Sequence, residues 1–189
     1  MIADLLLAQN IVPNSGFENY TSCPTNDAQI NKSFPWISPT TGTTDLLNVC
    51  SPLFSTVSVP INNLGYQVPY SGDGYAGIYS YWATDSEYRE YLQSSLNAPM
   101  VTGQTYEVSF YVSLSNESQY ASNNLGIYFS DSPISRNDNQ YFSCCTPQVI
   151  NTNVISDTLG WTKISGCYVA NGGEEFITIG NFNSYASSN

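Results

Sequence analysis

The chain reads as an all-β protein, an antiparallel two-sheet sandwich, and three observations carry that reading. The first is composition. Fifteen Tyr, eight Phe and three Trp accompany only four Lys and Arg in 189 residues, and aromatic side chains suit a pleated, half-buried surface. The second is the lack of any long run with helical periodicity, against several short runs that alternate. The third is residues 105–114. There Tyr106, Val108, Phe110, Val112 and Leu114 alternate with Thr105, Glu107, Ser109, Tyr111 and Ser113. Period two places the first set on one face of a strand, and residues 101–104 supply a turn before it. The stretch reads as a central strand with the others assembled around it. A hydrophobic content of 41% supports a real core, and the length suits one domain.

Residues 1–9 read either as the remnant of a secretion signal, cut after Ala8, or as an N-terminal arm. The apolar run fits a signal, whereas Asp4 and the missing basic start do not. The run is too short to span a membrane. Residues 10–189 form the sandwich domain. Ile11 and Val12 begin a strand that Pro13 confines to an edge or a strand start, and residues 14–16 turn. Residues 19–45 are loop-rich, with Trp36 buried beneath them. Residues 45–50 read as a short strand, and 52–69 as irregular.

Residues 71–74, Ser-Gly-Asp-Gly, form a tight turn by composition. Strands follow at 75–82, 88–96, 105–115 and 124–130, the last with Leu125, Ile127 and Phe129 inward. Residues 131–148 read as a polar loop carrying Cys144 and Cys145. Strands at 160–169 and 175–182 flank Asn171-Gly-Gly, and Asn-Gly between alternating runs predicts a hairpin.

The formal charge of −11 argues against nucleic acid, whose binding rests on cations at phosphates, and against an anionic membrane surface. Cations such as Ca²⁺ and neutral ligands such as sugars suit it better. The chain has no histidine, which excludes Ser-His-Asp and Cys-His catalysis while leaving carboxylate-pair chemistry open. Nothing in the spacing of Glu87, Glu90 and Glu107 singles out a catalytic pair, so a non-catalytic protein is expected. None of the five cysteines shows Cys-x-x-Cys spacing. Disulfides in an oxidising compartment are expected instead. Cys23 with Cys50 is the first pair, Cys167 with Cys144 or Cys145 the second, and one thiol is left over.

Alternation also sorts side chains by face. Tyr79, Tyr81, Arg89, Tyr91, Gln93, Glu107, Tyr111 and Tyr128 fall opposite the core. Their rings suit stacking on the apolar faces of sugars, and their polar groups suit hydroxyls.

In the order of its elements the chain resembles jelly-roll, galactose-binding-like carbohydrate-binding modules, and more closely the secreted or surface β-domains of Bacteroidota-type bacteria. The matching pieces are residues 10–18, 71–77, 88–92, 103–113 and 160–182. The resemblance implies a two-sheet jelly roll and a structural Ca²⁺ near the first strand, with Glu18 as a ligand and Asp73 as a helper. Asp157-Thr-Leu looks like the short O-glycosylation signal of these bacteria. The family pattern continues after Asn-Phe with an aromatic strand ending in Asp-Asp-Val, which residues 183–189 do not supply. The expectation is therefore a jelly roll lacking its last strand, with an open edge and residues 2–7 as a candidate donor to a neighbour.

Two functions follow as expectations. One is a secreted or surface module for adhesion or binding of a glycan or cell-surface polymer. The other is a structural subunit of an extracellular filament or surface layer, a homo-oligomer completed by strand exchange.

Overall fold

A computed structural model describes residues 9–82 and 87–188 of the chain. It is an all-β protein. Its strands are β1 (Asp45–Asn48), β2 (Ile61–Asn62), β3 (Gly65–Tyr66), β4 (Gly74–Gly77) and β5 (Tyr91–Ser95), then β6 (Thr105–Val112), β7 (Leu125–Ser130), β8 (Val149–Asn151), β9 (Thr162–Val169) and β10 (Phe176–Asn181). These strands pair antiparallel throughout. The helical content of the described residues is two 3₁₀ turns, Ile30–Lys32 and Tyr185–Ser187, and no helix among those residues is long and apolar enough to cross a membrane.

One layer is a four-stranded sheet in the order β5-β10-β7-β8. Facing it is the β6–β9 pair, with Thr105 opposite Val169 and Val112 opposite Thr162. The core lies between. Leu92, Ile127, Phe129, Val149 and Ile177 project from the four-stranded sheet and meet Val108 and Tyr168 from β6 and β9, together with Leu46, Trp36 and Met100. The Phe129 and Tyr168 rings stack across the layers with centroids 5.4 Å apart. Period-two alternation in β6, β7 and β10 is what delivers these side chains to one side. Trp36 is buried under the N-terminal loop, as its sequence position predicts, with its indole N–H donating to the Asn14 carbonyl at 2.9 Å.

The pairing differs from the sequence-based expectation in three places. The strand at 105–112 is not central, for among the described residues it pairs with β9 alone. Alternation reports which face a side chain occupies and says nothing about how many neighbours a strand has. Residues 11 and 12 form no strand; residues 13–16 are turn, with Asn14 and Phe17 at positive φ. The third difference is the Asn-Gly turn, which does not close a hairpin. β9 pairs with β6, whereas β10 pairs with β5 and β7, so residues 170–175 carry the chain from one layer to the other. Gly172 and Gly173 at φ +100° and +90° permit that arch. The buried Glu174 carboxylate holds it, accepting from the Asn171 and Gly172 N–H groups and the Tyr168 hydroxyl.

Candidate functional site

The eight residues predicted to share one binding face divide into three groups. Tyr91, Gln93 and Tyr128 belong to a second core on the outer side of the four-stranded sheet. Tyr91 is fully buried against Phe142 and Phe182, and its hydroxyl donates to the Asn181 carbonyl at 2.7 Å. Gln93 is buried too, its Oε1 accepting from Ile134 N–H at 3.0 Å and Thr178 Oγ1 at 3.1 Å. Tyr128 leans on Phe182 at 5.9 Å. These three are therefore structural, because the segment at 131–148 covers them. That segment reads as a polar loop, yet Ile134, Phe142 and Cys145 turn inward from it.

Glu107 and Tyr111 stand on β6, in the opposite layer, where Tyr111 stacks on Tyr70 with centroids 3.7 Å apart. They share no face with the first group.

Tyr79, Tyr81 and Arg89 do come together, at the ends of β4 and β5 where the chain has left the sheet. Tyr79 packs edge-on against Trp82 at 4.7 Å and Tyr88 at 6.3 Å. Tyr81 stacks on Tyr185 at 5.3 Å and 19° and leans on Tyr120 at 5.8 Å. Tyr79, Trp82, Tyr120 and Tyr185 are all solvent-exposed. The patch is thus two clusters of three rings, joined through Tyr79-Ser80-Tyr81. Tyr120 and Tyr185 escape sequence reasoning because they sit on segments with no periodicity, whereas Trp82 and Tyr88 lie in runs that read as strands, where alternation places them on the face opposite Tyr79, Tyr81 and Arg89.

Arg89 underlies the patch. It is fully buried, donates from Nη1 to the Tyr88 carbonyl at 2.7 Å and from Nη2 to the Asn183 carbonyl at 3.3 Å, and lies 5.7 Å from the centre of the Tyr81 ring. A cation facing a ring is attracted by its quadrupole, which fixes Tyr81 from below. Burial lowers the Arg89 pKa. Glu90 is the other buried charge here. Its carboxylate accepts from the Thr43 N–H and hydroxyl at 2.6 and 2.7 Å, the Tyr88 hydroxyl at 2.6 Å and the Tyr79 N–H at 2.9 Å. Burial, then that bond, push the Tyr88 hydroxyl up to about 12. Glu90 is thus committed to holding the patch, while Glu107 stands on the other layer.

Glu18 and Asp73 are brought together, though not as a cage. Glu18 Oε1 accepts the Asp73 backbone N–H at 2.9 Å and lies over Gly72, whose φ is +65°. A Cβ at Gly72 would collide with the Glu18 carboxylate. Glu18 thus caps the turn at 71–74. Among the described residues no three His, Cys, Asp or Glu side chains gather to hold a metal.

Cys23 and Cys50 are bridged, as their pairing predicts, with Cα atoms 5.6 Å apart. The second bridge does not form. Cys145 is buried in the outer core with its thiol pushed up to about 12, chiefly by burial. Cys167 is exposed on β9 in the other layer, and Cys144 is exposed on the covering loop. In Asp157-Thr-Leu, the Asp157 carboxylate accepts from the Leu159 and Gly160 N–H groups at 2.9 and 3.0 Å. Those bonds hold its carboxyl below the usual range.

Comparison with family models, with curated proteins and with solved structures finds no match to this chain.

Proposed function

We propose that this chain is a non-catalytic extracellular β-sandwich module for adhesion or glycan binding. The observation that supports this reading is the exposed aromatic patch around Tyr79, Tyr81, Trp82, Tyr120 and Tyr185. Ring faces fixed in place stack on the apolar faces of sugars at small entropic cost. A surface with few cations suits a neutral ligand. The Cys23–Cys50 bridge favours an oxidising compartment, and the resemblance of residues 10–18 and 71–77 to secreted bacterial β-domains points the same way.

Affinity electrophoresis tests the reading, using gels that contain soluble β-glucan, mannan, xylan or arabinogalactan, with and without Ca²⁺. The native chain is expected to be retarded by at least one polysaccharide. Tyr81→Ala with Tyr185→Ala is expected to abolish that retardation, and Tyr111→Ala to leave it unchanged. Retardation that survives the double substitution, or none in any gel, overturns the proposal.

A further inference from the structure

Three of the five cysteines are free, and two of these are neighbours in the chain. Cys144 and Cys145 end a turn on the outer side of the four-stranded sheet, where the Cys145 N–H donates to the Phe142 carbonyl at 3.3 Å. The turn is pinned on both sides. Before it, the Phe142 N–H donates to the Tyr91 hydroxyl at 3.2 Å. After it, the Gln148 side chain accepts from the Phe129 N–H at 2.8 Å and donates to the Phe129 carbonyl at 3.0 Å. Cys144 is exposed, whereas Cys145 is buried in the cluster of Tyr91, Phe142 and Phe182. The Cys145 thiol is hydrogen-bonded to Cys144 and to the Tyr128 hydroxyl.

The other cysteines of this chain offer these two no partner. Cys23 and Cys50 are bridged to each other. Cys167 stands on β9 in the opposite layer. Its neighbours Gly166 and Tyr168 face the core, against Val149 and Phe129, so Cys167 faces away from it. The core of the sandwich therefore separates Cys167 from the Cys144–Cys145 turn.

We propose that Cys144 and Cys145 are a reversible redox site that closes to a disulfide between neighbouring residues. The oxidant is a small disulfide such as oxidised glutathione. Cys144, the exposed thiol, gives its proton to solvent and attacks that disulfide; one S–S bond breaks, a mixed disulfide forms on Cys144 and one glutathione thiolate leaves. Cys145 then gives up its proton, attacks Cys144 Sγ and expels the second thiolate. Two thiols are oxidised to one disulfide while one disulfide is reduced to two thiols. Burial holds Cys145 as the thiol, so the second step is the slower one and the Cys144 adduct precedes the ring. A bond between neighbours closes almost no loop, so it restrains the unfolded chain little and is no staple. It is also strained, because neighbouring Cα atoms lie about 3.8 Å apart across a trans peptide and ordinary disulfides hold them roughly 4.4–6.8 Å apart. Strained, exposed disulfides are the readily reduced ones. Cys23 and Cys50, with Cα atoms 5.6 Å apart, carry no such constraint.

The test maps the thiols of the full chain by alkylation and peptide mass, before and after incubation of the folded protein with oxidised glutathione. After incubation, the peptide carrying Cys144 and Cys145 is expected to be two hydrogens lighter and closed to alkylation. A dithiol reductant too dilute to open Cys23–Cys50 is expected to restore both thiols. Cys145→Ser is expected to keep glutathione on Cys144, and Cys167→Ser to leave ring closure unchanged. Because the mapping reads the native chain, the proposal stays open to contradiction even if the Cys145 variant fails to fold. Two thiols still free on that peptide after incubation overturn it, as does an adduct on Cys144 that never gives way to the ring. A bond from Cys167 to either thiol, or a ring as resistant to reductant as Cys23–Cys50, equally overturns it.

Discussion

Buried acids in this chain differ in how well they are met. Glu90 receives four donors. At Glu174 burial raises the pKa, but hydrogen bonds from Tyr168, Asn171 and Gly172 outweigh it and hold the carboxyl below its ordinary value. Asp45 has the Ala28 N–H at 2.6 Å, and burial dominates. Its carboxyl is pushed up to about 7, with Glu90 and Asp27 adding to the shift. In the unfolded chain the same group ionises near 3.8. Between those values the folded state binds the proton that the unfolded state has released. Stability from this group is therefore full below about pH 4 and is lost as pH rises towards 7. Allowing for solvent screening, the loss is about 1–2 kcal/mol. Asp45→Asn keeps the shape and removes the titration. Thermal unfolding at pH 4 and pH 7 is expected to show a smaller drop across that window for the variant than for the native chain. Equal drops would place the titration elsewhere. The comparison is a difference between two chains, so Glu174, whose stabilising contribution is lost as pH falls, cancels.

At the scale of elements, the arch at 170–175 decides which layer β10 joins. A Cβ at Gly172 would overlap Thr102 Oγ1, whereas one at Gly173 meets nothing within 4 Å. Both sit at positive φ. Gly173→Ala is expected to cost about 1 kcal/mol of backbone strain, and Gly172→Ala clearly more, about 2–3 kcal/mol, in urea denaturation. Equal costs would mean that Thr102 does not pack under the arch. The arch also marks where local sequence stops informing. Residues 105–112, 125–130, 162–169 and 176–181 are legible as strands because period two is written in them. That β9 turns away from β10 is a matter of distant partners, and Asn-Gly-Gly signals a reversal without saying towards which layer. The same holds for the outer core. Tyr91, Gln93 and Tyr128 alternate as surface residues do, and only the fold of 131–148 over them makes them interior. Tyr79, Tyr81 and Arg89 are legible as a group; Tyr120 and Tyr185 are not, because loops leave no period to read, and Trp82 is not, because alternation in a strand at 75–82 sends it to the other face, whereas β4 ends at Gly77.

For the whole molecule, the two-layer sandwich leaves, among the described residues, a gap between β4 and β6 that runs up to the aromatic patch at Tyr79, Tyr81 and Tyr120. The donor arm expected at residues 2–7 lies outside the described residues. The most direct measurement of that gap is residue-resolved amide hydrogen exchange of the full chain by NMR. β10 lies between β5 and β7, so its amides are expected to be among the slowest. Among the described residues β6 has one partner, β9, so alternate amides between Thr105 and Val112 are expected to exchange fast while those bonded to β9 stay protected. Uniform protection along β6, matching β10, would contradict the account, for it would mean that a strand already fills the gap.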